Sequence, residues 1–159
     1  MKSLIIVSSQ SGNTRKLAGA AAEALPGETT MVAVEQAPDH FDGIDLLAVG
    51  FWLMGGKPDP KSSELLARIK GKKLFLFATH GAAKGSAHAL AAMNQARELA
   101  AGAQIVGAYS CQGQVQEKVI ATASAKVPSP AWVADAPSAA GHPDERDLAE
   151  LQAAIRSCC

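Results

Sequence analysis

Four short stretches of this chain are apolar without a break: Leu4–Val7, Leu46–Phe51, Leu74–Ala78 and Ile105–Tyr109. A strand with one face in water alternates apolar and polar residues. These runs do not alternate, which suits strands buried on both faces of a parallel sheet. Thr30–Val34 is shorter of apolar residues and more polar, as an edge strand would be. Helical stretches separate the runs. Thr14–Leu25 is Ala-rich and stops at Pro26-Gly27. Ser62–Lys70 carries Leu65, Leu66 and Ile69 on one face and stops at Gly71. Ser86–Ala101 carries Leu90, Met93 and Leu99 and stops at Gly102. Asp144–Arg156 carries Leu148, Leu151 and Ile155, with acids in its first turn, where the helix dipole favours them. Strand and helix alternating in this way imply an open parallel α/β sheet with helices on both faces. Such sheets bind ligands beyond the carboxyl ends of their strands. The informative residues are therefore those that follow each apolar run.

Bulk properties narrow the classes. The 159 residues are 48% hydrophobic and 19% charged, the composition of one globular domain over 1–159. Residues 127–143 hold four of the eight prolines and read as a connection before the final helix at 144–156. Fifteen basic residues balance fifteen acidic ones, which argues against nucleic acid as a partner. No run approaches the ~18 apolar residues that span a bilayer, and no signal peptide is read at the start, so a cytoplasmic, non-membrane protein is expected. Three cysteines, Cys111, Cys158 and Cys159, do not make a disulfide framework. The adjacent pair at 158–159 reads as a mobile, uninvolved terminus. His40, His80, His88 and His142 show no metal-ligand spacing, and Gly-x-Ser-x-Gly does not occur.

After the first run comes Ser8-Ser9-Gln10-Ser11-Gly12-Asn13-Thr14, then a helix. Free backbone amides at a helix start, with hydroxyls beside them and a glycine that lets the backbone approach, make a cradle for a phosphate. The loop lacks the Gly-Lys-Ser/Thr end of a P-loop and the G-x-G-x-x-G of a dinucleotide site. The plain alternative is an N-capped turn.

Ser9, Gln10, Ser11, Gly12, Asn13 and Thr14, directly after the first strand, resemble the FMN-phosphate loop of flavodoxins. The resemblance covers roughly the first 120 residues and the final helix. It implies a flavodoxin-like five-stranded parallel sheet of order 2-1-3-4-5 and FMN as cofactor.

It also assigns roles to the later loops. Phe51, Trp52, Leu53, Met54 and Gly55 follow the third strand, where flavodoxins cover one side of the flavin ring. Trp52 would stack there, or Met54 would touch the ring through sulfur. Alternatively, Phe51 and Trp52 pack under the next helix. This segment resembles a narrower group of short flavodoxins with a Gly-Phe-Trp loop, some of which accompany reductases, including a bilirubin-reducing one. Thr79, His80, Gly81 and Ala82 match the second flavin loop. Flavodoxins usually place an aromatic residue in that loop; none is present here. His80 either donates to the flavin or is an ordinary exposed histidine. Cys111, Gln112 and Gly113 follow the fifth strand and would close the rim of the site, with Cys111 a small buried hydrophobe.

The expected function is an FMN-binding electron carrier that passes electrons to or from a partner reductase. The alternatives are an FMN-dependent NAD(P)H:acceptor oxidoreductase of quinone type, and a non-redox module that binds some other phosphate ligand. The neutral charge, with Lys57, His80 and Lys84 in the ring loops, implies a reduction potential less negative than that of acidic flavodoxins. The sequence leaves the oligomeric state open.

Overall fold

The structure, a computed structural model, describes residues 1–159. Each apolar run lies within a strand. The strands are β1 (Lys2–Val7), β2 (Glu28–Ala33), β3 (Leu46–Met54), the short β4 (Lys57–Pro58), β5 (Lys73–His80) and β6 (Gln104–Gln112). The helices are α1 (Asn13–Ala24), α2 (Pro60–Arg68), α3 (Ala87–Leu99), α4 (Glu117–Ser124) and α5 (Glu145–Arg156). Two 3-10 segments, Val34–Gln36 and Ala131–Ala139, complete the order. The long strands lie in the order β2-β1-β3-β5-β6, every neighbouring pair parallel. This is the expected flavodoxin-like order, with β5 and β6 as the fourth and fifth long strands. The antiparallel β4 pairs only with the end of β3.

Alternate residues of each central strand feed opposite cores, as the two-residue strand period requires. On one face Leu4, Ile6, Leu47, Val49, Leu74 and Leu76 pack with Leu65, Leu66 and Ile69 from the α2 region and with Met93 and Ala96 of α3. On the other, Ile5, Val7, Ala48, Phe75 and Phe77 pack with Leu17, Ala18 and Ala21 of α1 and with Leu151 and Ile155 of α5. The sheet is therefore covered by α2 and α3 on one side and by α1 and α5 on the other. No helix is long and apolar enough to cross a membrane.

The structure departs from the sequence reading in several places. Ile105–Tyr109 was expected to be buried on both faces, yet β6 is the sheet edge and these residues are half-buried. Its outer side has no strand neighbour, so apolar side chains there are only partly covered. α2 starts at Pro60, two residues before Ser62, because the Asp59 carboxylate caps it and proline suits the first helical position. The 127–143 connection is not featureless, since it contains the Ala131–Ala139 3-10 segment. The last cysteines are not a loose tail. The Cys158 thiol donates to Val106 O at 3.2 Å and Ala154 O at 3.3 Å and packs against β6.

Candidate functional site

β1 sits at the switch point of the sheet, with β2 on one side and β3 on the other. The loops that leave β1, β3, β5 and β6 at their carboxyl ends surround one cavity of about 810 Å³.

At one end lies the start of α1. Its N-cap, Gly12, offers no side-chain hydrogen bond. The first helical bond runs from Lys16 N–H to Gly12 O at 3.0 Å, so the Asn13, Thr14 and Arg15 amides precede the ladder. By contrast, α2, α3 and α5 are capped by Asp59, Ser86 and Asp144. Gln10, Ser11, Asn13 and Thr14 line the cavity; Ser9 and Gly12 do not. Ser9 supports the turn from behind, its Oγ accepting from Gly12 N–H at 3.0 Å. The Thr14 hydroxyl also serves the fold. It is buried and shares a 2.8 Å hydrogen bond with the Thr79 hydroxyl, stitching α1 to β5. The Asn13 side chain donates to Gln114 O at 2.9 Å and ties α1 to the loop after β6.

The second wall comes from β3. Trp52, Leu53, Met54 and Gly55 line the cavity. They belong to a tight hairpin in which Leu53 and Met54 face Pro58 and Lys57 of β4. Gly55 and Gly56 form the two-residue turn with φ of 60° and 76°, the left-handed pair that a twist-compatible hairpin needs. Phe51 does not reach the cavity. It is the last residue of the apolar run and lies fully buried in the core with α2 and α3 on its face. The strand period turns Phe51 inward and leaves its neighbour Trp52 half-buried at the cavity. Asp59, which the sequence reading passed over, holds these two loops together. It is buried, accepts from the Ser8 hydroxyl at 3.0 Å and from the Ser62 hydroxyl at 2.9 Å, and its own amide donates to Trp52 O at 3.0 Å.

The third wall comes from β5 and β6. Thr79, His80 and Gly81 line the cavity; Ala82 is buried behind them. His80 is not an ordinary exposed histidine, being only 6% exposed. Its Nδ1 lies 2.8 Å from Ala82 O. A carbonyl only accepts, so Nδ1 carries the proton. Burial pushes the imidazole below its ordinary pKa, outweighing the Ala82 hydrogen bond, which favours the protonated ring, and nearby His88 and Lys84 add to the lowering. The ring is therefore neutral, and Nε2 is an acceptor, not the donor the sequence reading considered. Nε2 is also buried with no protein partner. Gly113 lines the cavity and donates its amide to His80 O at 2.9 Å. Cys111 and Gln112 stand behind the wall. Cys111 is fully buried in the α1/α5 core, and burial pushes its thiol up to about 12. Gln112 Nε2 donates to Gly81 O at 3.2 Å and to Ser138 Oγ at 3.0 Å, so it braces loops instead of facing the cavity.

The remaining wall went unseen in the sequence. α4 contributes Lys118, Val119 and Thr122, and the segment that follows contributes Lys126, Pro130 and Trp132; His88 of α3 joins them. No Asp or Glu lines the cavity. Its cations are not the ones expected. Lys84 turns away to pair with Glu150 and lies 4.6 Å from the Tyr109 ring centroid, and Lys57 is exposed on β4. Lys118 and Lys126 take their place.

Elsewhere, His142, Asp144 and Asp147 bring potential ligand atoms within 4.8 Å of one another. Those atoms already serve the start of α5. Asp147 Oδ2 accepts from Asp144 N–H at 2.9 Å and from His142 Nδ1 at 2.6 Å, and Asp144 Oδ1 accepts from Asp147 N–H at 3.0 Å. This is a capping box with an imidazole added.

With this geometry in place, comparison with known proteins is decisive for the family. The family model of the flavodoxin domain matches residues 4–156. The chain belongs to the flavodoxin-domain family. The flavodoxin-like domain-containing protein BilS of Clostridioides difficile (strain CD3) is 29% identical over 121 residues, 74% of this chain and 69% of that protein. Among solved structures, the Streptococcus pneumoniae TIGR4 flavodoxin superposes with a TM-score of 0.62 over 100% of both chains at 14% identity. A flavoprotein from Lactobacillus acidophilus, solved in complex with FMN, gives 0.56 over 69% of this chain and 92% of its own at 20% identity. At these identities the structures share the flavodoxin fold. The loops described above occupy the strand ends at which that fold opens.

Proposed function

We propose that this flavodoxin-domain chain holds FMN non-covalently in the cavity and uses it to pass electrons to or from a partner reductase. One observation carries the reading. A single carboxylate-free cavity is lined by residues of an uncapped helix N-terminus, by the tryptophan hairpin and by the buried His80. The α1 end suits a phosphate, through free amides and the helix dipole. The Trp52 end suits a flat aromatic ring. When bound, FMN supplies reversible electron transfer, and the protein supplies position and electrostatics. The same donor set is poor for a nucleoside triphosphate, since the loop lacks a P-loop lysine.

A partner role is supported at the cavity mouth. Met54 is 52% exposed and Val119 43% exposed, and both line the cavity. Apolar side chains left open around a cofactor suit transient docking. With a formal net charge of zero, docking would rest on shape and these contacts, not on a broad acidic face.

The test is reconstitution. The purified protein titrated with FMN is expected to quench flavin fluorescence saturably, one flavin per chain. Riboflavin, which lacks the phosphate, should bind at least about tenfold more weakly, a difference of ~1.4 kcal/mol. The reduced holoprotein should hand electrons to a reductase while leaving NAD(P)H untouched in its absence. No flavin binding would overturn the proposal. Equal affinity for riboflavin would remove the phosphate assignment, and steady NAD(P)H oxidation by the holoprotein alone would make it an oxidoreductase in its own right.

A further inference from the structure

We infer that Trp132, carried by the segment between α4 and α5, is the second aromatic wall of the flavin site, doing what no residue of the loop after β5 can do. The inference rests on the FMN reading above and names a ring-contacting residue in it.

The chain has only two tryptophans, and both line the same cavity. All four phenylalanines, Phe41, Phe51, Phe75 and Phe77, are spent in the core. Trp52 enters at the end of β3, where its backbone pairs with Thr79 of β5. Trp132 enters from the 3-10 segment that follows α4. The loop after β5 brings no aromatic of its own, but it leaves room for one. A Cβ added at Gly81 would lie 3.0 Å from Trp132 Cε3 and 2.9 Å from Val115 Cγ2. The indole therefore rests close on the backbone of the β5 loop, and a side chain at Gly81 would press against it.

The segment that presents it is fastened to that same loop. The Ala83 amide donates to Asp135 Oδ2 at 2.9 Å. Gln112 Nε2 reaches Gly81 O, Asp135 O and Ser138 Oγ at 3.0–3.3 Å, so one side chain links β6, the β5 loop and the Trp132 segment. Within the 3-10 segment only Ala136 and Ala139 are buried, so Trp132 is not there to build a core. A large half-buried aromatic, backed by polypeptide and open to a cavity, is a stacking surface for a planar ligand.

Trp132→Ala, Trp132→Phe and Gly81→Ala test this, with FMN and riboflavin as ligands. Trp132→Ala should weaken FMN and riboflavin by the same factor, about tenfold, because the lost contact is at the ring and not at the phosphate. Bound flavin should become brighter as the quenching indole is removed. Trp132→Phe should keep most of the affinity but quench less. Gly81→Ala, by pushing the indole out of place, should brighten the flavin while Trp132 is still present. It serves, with Trp132→Phe, if far-UV circular dichroism shows that Trp132→Ala does not fold. Unchanged affinity and quenching in these variants would overturn the inference. So would a loss confined to FMN, which would place Trp132 at the phosphate end. If the wild-type protein binds neither flavin, the FMN reading has failed and this inference falls with it.

Discussion

His80 shows how a single side chain is defined by its surroundings. The residue type alone permits donor, acceptor or cation. Burial favours the neutral ring, and the Ala82 carbonyl fixes the tautomer that carries the proton on Nδ1. The same facts fix a pH dependence. Folded His80 has a pKa below the ordinary 6.5, so between that folded value and 6.5 the unfolded chain takes up a proton that the folded chain does not. Stability from this group is complete above 6.5 and is lost as the pH falls toward the folded pKa, with a slope of up to ~1.4 kcal/mol per pH unit. Urea denaturation of the apoprotein at pH 7.5 and pH 5.5 should show a larger acid loss for the wild type than for His80→Gln. Parallel losses would mean that His80 is not the group held neutral. Asp59 makes the complementary point, because its burial is tolerated only through its bonds to Ser8 and Ser62.

The β3–β4 hairpin is the element that delivers Trp52 and Met54 to the cavity. Its register, Leu53 opposite Pro58 and Met54 opposite Lys57, depends on a turn in which both central residues are left-handed. A Cβ at Gly55 would meet nothing within 4 Å, so Gly55→Ala isolates the backbone cost, roughly 1–2 kcal/mol. Gly55→Asn should recover part of that loss, since asparagine visits this conformation more readily. Chemical denaturation of the two variants checks the order. Equal stability of Gly55→Ala and wild type would show that the turn relaxes to another type. At Gly56 a Cβ would also come within 3.2 Å of His88 Cε1, so a substitution there mixes backbone and contact effects.

On the scale of the whole molecule, charge is balanced overall but not around the cavity. The fifteen acids lie elsewhere, while Lys118 and Lys126 are in the wall. A reduced flavin, an anion at neutral pH, would if held as proposed meet cations here with no carboxylate opposed. The holoprotein should therefore be easier to reduce than acidic flavodoxins. Redox titration of Lys118→Glu/Lys126→Glu should give a midpoint lower by on the order of tens of mV, with wild-type folding retained because both positions are on the surface. An unchanged midpoint would mean that these lysines stay solvated and too distant to matter.

The parallel sheet and its four cavity loops were legible in the sequence because they rest on local signals, while the strand order came from the resemblance to flavodoxins. Buried strands read as unbroken apolar runs, and the stretch from Ser9 to Thr14 carries its signature in six consecutive residues. Three things needed the fold. Phe51 and Trp52 are neighbours in sequence, yet the pleat sends one into the core and the other to the cavity. The Thr14 hydroxyl, which the loop pattern shows only as a possible phosphate donor, also bonds the Thr79 hydroxyl 65 residues away. α4 is only eight residues long and buries a single residue, Ala123, and Trp132 gains meaning only from its contact with Gly81. Sequence determines an element through neighbours along the chain. A site wall assembled from distant segments is decided by packing, which no local pattern records.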